Sequence, residues 1–197
     1  MSRVKASAIR RCIIMGVGGA GCNMVDALAA SETEKFVCIA ANTDVSALSR
    51  TKVRKRLRLG RSGLGAGVSV SYGKSAAIES ERAIRKVLRG CKLLILVVGL
   101  GGGTGSGSAP VIAKVARRKG MTCVAVVTLP FSFENRACIA QDGLKKLRRY
   151  CASTLIIDQD DMMSRLGEDI DFKVFFAEVD ETVRGFIGCV LTRSLRL

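Results

Sequence analysis

The sequence predicts an α/β domain with a doubly wound, mostly parallel sheet and a long helix near its C-terminal end. Three observations carry that expectation. Apolar, β-branched runs alternate with amphipathic stretches along most of the 197 residues. Several runs are continuously apolar rather than alternating, as suits strands covered by helices on both faces. Glycine-rich or polar segments follow each of the first five runs, where loops leave the carboxyl ends of strands in such a sheet.

Taken in order, a first strand over residues 11–15 runs into "GVGGAGCN" (16–23) and a helix over 21–30. A second strand, 36–41, leads to "NTD" (42–44), and a third, 53–59, to "GLGAG" (63–67) and a helix over 75–88. The fourth, 93–98, is followed by "GLGGGTGSGSAP" (99–110), with a helix starting near Ser106 and amphipathic over 109–119. The fifth, 123–129, enters "LPFSFENR" (129–136) ahead of a helix over 136–150. A sixth strand at 154–157 and a long helix over 172–191 complete the series. The five loops gather on one rim, which makes that rim the candidate site. The chain is long enough for one domain with a core. Without Trp, and with only seven Phe and two Tyr, that core must be built from Val, Ile, Leu, Ala and Cys.

Composition excludes several chemistries. There is no His, so His-based catalysis is ruled out. The eight cysteines include no C-x-x-C pair, and metal-site spacings are missing, so the cysteines are read as reduced, packed small hydrophobes. The longest apolar run, "LLILVVGL", is far shorter than the roughly 18–20 residues of a membrane span. Residues 1–10 form a basic N-terminal extension that runs on into the fold, so no signal peptide and a cytoplasmic location are expected. The net charge of +15 is uneven, with its densest stretch "RTKVRKRLRLGR" at residues 50–61. From Arg50 to Arg61 inclusive it holds seven positive residues and no acid, a candidate contact for a polyanion or anionic surface.

Two motifs compete as phosphate sites. Gly16, Gly18 and Gly21 spell a literal G-x-G-x-x-G after an apolar run, the fingerprint of a dinucleotide fold. A dinucleotide fold has no need of the second glycine turn, Gly101–Gly107, after the fourth strand. Two such turns opposite one another would instead enclose a triphosphate, their N–H groups cradling the anion. Gly73-Lys74-Ser75 resembles the end of a P-loop, but its leading glycine is misplaced and no buried strand feeds it.

"GGGTGSG" closely resembles the signature of the tubulin/FtsZ superfamily. It stands in order with "GVGGAGCN", "NTDVSAL", "GLGAG", "PFSFE" and "STLIIDQDDM", similar to that family from about residue 11 onward. The resemblance implies a Rossmann-like domain that binds GTP or GDP with Mg2+. It places Gly18, Gly19, Ala20, Gly21, Ala66 and Gly67 at the phosphates, together with Gly102, Gly103, Thr104, Gly105, Ser106 and Gly107. It places Glu134 and Arg136 at the ribose, and Asn23, Phe175 and Asp180 at the guanine. An ionised carboxylate at Asp180 complements the two donors of guanine and would meet adenine badly. The segment after Glu134 is two residues shorter than usual in the family, and Gln159 and Val179 stand where Asn is frequent.

The family's acidic synergy loop and second domain follow the long helix, and neither is found before Leu197. The resemblance therefore implies the nucleotide-binding half of an active site shared between subunits. No residue is assigned as catalytic, and GTP hydrolysis is expected to be weak or dependent on a partner subunit. The expected partner is a second copy or a full-length relative in a filament-forming, cytoskeletal or cell-division system. The alternatives are a non-catalytic assembly or capping factor and a basic polyanion-binding module. Apolar residues 186–195, which face the second domain in the family, are expected to lie uncovered.

Overall fold

The computed structural model describes residues 12–31, 37–167 and 169–194. Six parallel strands form one sheet in the order β3-β2-β1-β4-β5-β6. They are β1 (Cys12–Val17), β2 (Val37–Asn42), β3 (Lys55–Arg58), β4 (Leu93–Gly99), β5 (Thr122–Leu129) and β6 (Ser153–Asp158). β1 lies between β2 and β4, with Ile14 opposite Cys38 on one side and Ile95 on the other. Leu93 to Val98 of β4 are buried, as their unbroken apolar run predicts for a central parallel strand.

Among the described residues, eight α-helices cover the two faces. On one lie α1 (Gly18–Ser31), α2 (Val45–Arg50), α7 (Gln159–Leu166) and α8 (Phe172–Ser194), around a core that includes Ile14, Val25, Val97 and Phe175. On the other lie α3 (Val70–Glu79), α4 (Glu81–Val87), α5 (Gly103–Arg118) and α6 (Ala137–Arg148), around Met15, Leu96, Ile112 and Leu147. The doubly wound expectation holds.

Several boundaries differ from the sequence expectation for identifiable reasons. The helix expected over 75–88 is two helices that break at Ser80, whose hydroxyl accepts from Gly60 N at 2.8 Å. α2 was not expected; Asp44 caps it by accepting from Ala47 N at 3.0 Å. Asp158 does the same for the unexpected α7, accepting from Asp160 N and Asp161 N. α1 and α5 begin inside their glycine segments, at Gly18 and Gly103, so these segments are largely first helical turns rather than loops.

The end of α8 also differs. Ile187 and Leu191 are buried in the core, and Phe186 and Val190 pack partly against it. The exposed large apolar residues of α8 are Phe172, Val174 and Phe176, in its first turns. Cys12, Cys22 and Cys123 are buried, whereas Cys138 and Cys189 are exposed. Burial pushes the Cys22 thiol up to about 12. Among the described residues, no helix is long and apolar enough to cross a membrane.

Candidate functional site

The two glycine segments meet where the winding of the sheet reverses. β1 and β4 are neighbours, yet the helices that follow them pass to opposite faces, which opens a crevice at their carboxyl ends. The first turns of α1 and α5 both border this cleft, which has a volume of ≈ 370 Å³. Gly18, Gly19 and Ala20 line it from α1, and Gly102, Gly103, Thr104 and Gly105 from α5, with Gly67 also on the wall. Gly18 turns the chain with φ +76, a conformation that glycine adopts without strain.

The first N–H groups of a helix have no partner within it. At α5, Gly103 N donates to Gly67 O at 2.7 Å and Ser106 N to Gly102 O at 3.0 Å. The N-cap is Gly102, which has no side chain to cap the others. Thr104 N–H and Gly105 N–H are thus left for an anion in the cleft, with the helix dipole adding to its attraction. The Thr104 hydroxyl meets the Thr43 hydroxyl at 2.7 Å, tying α5 to the turn after β2. The donor set fits a phosphate chain. Among the described residues no cluster of His, Cys, Asp or Glu could hold a metal ion by itself. A magnesium ion here would take its ligands from phosphate oxygens and water.

Four residues expected at the phosphates do not line the cleft. A Cβ on Gly21 would lie 2.3 Å from Val97 O, so Gly21 lets α1 approach β4. A Cβ on Gly107 would lie 2.4 Å from Val70 O, so Gly107 is a contact between α5 and α3. The Ser106 hydroxyl accepts from Gly101 N at 2.9 Å, and Ala66 is buried with its carbonyl accepting from Ser69 N at 2.8 Å. Gly73 is likewise a packing residue inside α3, where a Cβ would come 2.1 Å from Gly103 O; Gly73-Lys74-Ser75 is no phosphate loop.

Glu134 and Arg136 both line the cleft. Glu134 Oε1 accepts from Phe131 N at 3.1 Å, and its other oxygen lies 3.4 Å from Arg136 Nη1. Glu134 is the one acid, and Arg136 the one base, among the described residues of the lining.

The base-binding residues are distributed differently from the expectation. Phe175 is fully buried, its ring centroid 5.4 Å from that of Phe131. A ring without exposed surface has no face to stack on a base. The cause is the helical period, since Phe175, Val179, Val183, Ile187 and Leu191 form the inward stripe of α8. The adjacent Phe176 is 47% exposed and lines the cleft. Asp180 lies four residues on, and burial pushes its carboxyl up to about 6 while nearby Arg184 pulls it down. Asn23 is exposed on α1, which packs against α8. Neither Asn23 nor Asp180 lines the cleft itself.

The structure adds Gln159, Thr128, Pro130 and Phe131 to the lining. Gln159 follows the N-cap Asp158 at the carboxyl end of β6, so the strand-end rule that located the other five loops could have found it.

Residues 11–167 match the Tubulin/FtsZ family, GTPase domain. The chain is 41% identical over 191 residues to the cell division protein FtsZ of Neisseria gonorrhoeae, covering 94% of this chain and 49% of that one. It is 40% identical over 193 residues to cell division protein FtsZ 1 of Pyrococcus furiosus, covering 94% and 52%. Among solved structures, the empty FtsZ dimer of M. jannaschii superposes with a TM-score of 0.84 at 33% identity, covering 92% of this chain and 54% of that one. The chain spans about half the length of the curated relatives it matches.

Proposed function

The chain belongs to the tubulin/FtsZ family, and on that premise we propose that its cleft binds GTP and GDP with magnesium as the nucleotide-binding half of an active site that a neighbouring subunit completes. The observation that carries this reading is the convergence of two helix N-termini, α1 and α5, on one glycine-lined crevice. The backbone N–H groups of Gly19, Ala20, Thr104 and Gly105 hold the phosphates, and Glu134 with Arg136 faces the ribose. Phe176 covers the base, and Asn23 and Asp180 meet its polar edge.

Hydrolysis requires a group that orients the attacking water. Glu134 is already held by Phe131 N and Arg136, which favours a water-orienting group from a second subunit over one from the cleft. Turnover is therefore weak in isolated copies and rises on assembly with a second copy or a longer relative, in a filament of the cytoskeletal or cell-division type.

The test is equilibrium binding of GTP, GDP, ATP and NADH to the purified protein with magnesium, followed by phosphate release at increasing protein concentration. Guanine-selective binding and a specific activity that rises with concentration are expected. Equal affinity for ATP overturns the guanine assignment, and concentration-independent turnover overturns the shared site.

A further inference from the structure

Charge is sorted between the two faces of the sheet. Helices α3, α4, α5 and α6 carry ten Lys and Arg against three acids, and the turns after them add Arg89, Lys92, Lys119 and Arg149. Helices α1, α2, α7 and α8 carry five Lys and Arg against six acids. The three acids of the basic face are each already paired. Glu79 pairs with Arg61 at 2.7 Å, Glu81 with Arg85 at 2.8 Å, and Asp142 with Lys146.

At one side of this face a cleft of ≈ 890 Å³ is walled by α4 and its flanking turns, the end of β3 and the turn after α5. Arg61 and Arg85 in its wall are occupied by Glu79 and Glu81. Arg58, Arg82, Lys86, Arg89 and Lys119 have no acidic partner among the described residues. The dense basic stretch of the sequence is therefore not one patch. Arg56 turns its guanidinium onto Thr51 O and Val53 O, while Arg58 and Arg61 reach the cleft and join cations from α4 and beyond.

The chemistry of the wall selects the kind of anion. Guanidinium forks match phosphate oxygens, and several cations clustered on one face are the electrostatic footprint of a nucleic-acid backbone. Among the described residues no aromatic lines the cleft, which disfavours single strands that bind by stacking. Of the exposed large apolar residues among those described, only Ile78 lies on this face, so there is little to insert into a bilayer. Among the described residues Ala83 is the only apolar side chain in this wall, which gives an acidic peptide no anchor within the cleft.

We propose that the α3–α6 face, centred on this cleft, binds the phosphate backbone of duplex nucleic acid without reading its sequence. The cleft shares no lining residue with the nucleotide cleft, so this binding does not depend on GTP.

The experiment is fluorescence anisotropy of a labelled 20-base-pair DNA duplex with the full chain, between 50 and 200 mM salt. Neutralising about five phosphates predicts a slope of about −4.5 in log affinity against log salt, an affinity loss of about 500-fold across that range. In the triple variant Arg82→Glu, Arg89→Glu, Lys119→Glu, all at exposed positions, the slope falls to about −2. Arg165→Glu and Arg193→Glu on the other face leave it unchanged. Three results would overturn the proposal. They are a wild-type slope shallower than about −2, equal weakening by the control reversals, or tighter binding of phosphatidylglycerol vesicles or poly-glutamate than of duplex at the same salt.

Discussion

Replacing Asp180 with Asn keeps the size of the side chain and removes its charge, at a position where burial holds the carboxyl at about 6 instead of the ordinary 3.8. The fold disfavours the ionised form, so the contribution of Asp180 to stability is complete below pH 3.8 and is lost as pH rises through about 6. At full burial that displacement corresponds to about 3 kcal/mol, and solvent screening of a half-buried group reduces it to about 1–2 kcal/mol. Asp180→Asn should therefore match wild type in thermal unfolding at pH 4 and exceed it by about 3–6 °C at pH 8, without nucleotide. GTP binding should show the opposite preference, because guanine's donors need the ionised carboxylate. A carboxyl at about 6 is roughly nine-tenths ionised at pH 7 and one-tenth at pH 5. The wild-type advantage over Asp180→Asn in GTP affinity should fall about tenfold between those values, and the titration of the phosphates cancels in the ratio. Calorimetric titration of both proteins at each pH measures it. A ratio that stays constant from pH 7 to pH 5, or GTP affinity untouched by the substitution, refutes the guanine role. Equal unfolding temperatures at pH 8 refute the burial argument.

Two further outcomes follow from the same geometry. Gly19→Ala places a methyl in open space beside the cleft and should leave the unfolding temperature unchanged while weakening GTP binding at least tenfold, whereas Gly21→Ala drives a methyl to 2.3 Å from Val97 O and should cost about 1–3 kcal/mol in denaturant unfolding. In native protein at pH 8, a thiol reagent followed by peptide mass mapping should label exposed Cys138 and Cys189 within minutes and leave buried Cys22 unmodified until the chain unfolds.

The succession of strands along the chain, and the rim on which the segments after them gather, were legible in the chain itself. Unbroken apolar runs such as Leu93 to Val98 need cover on both faces, and glycines after them mark where the backbone must turn and approach a ligand. Short helices were less legible. α2 and α7 rest on single caps, Asp44 and Asp158, whose worth depends on a strand ending just before them.

What the sequence determined by itself was therefore the alternation of elements, the rim on which their turns gather, and the glycine chemistry suited to phosphate. The tertiary structure decided which member of each motif faces the cleft. Gly18 and Gly105 border it while Gly21 packs α1 on β4 and Gly107 packs α5 on α3, and Phe176 reaches it while its neighbour Phe175 enters the core. It also decided that cations scattered from Arg58 to Arg149 share one face and that most acids of the helices lie on the other. Spacing along a chain sets a local period, but the direction in which that period points is set by what packs against it, and that partner is distant in sequence.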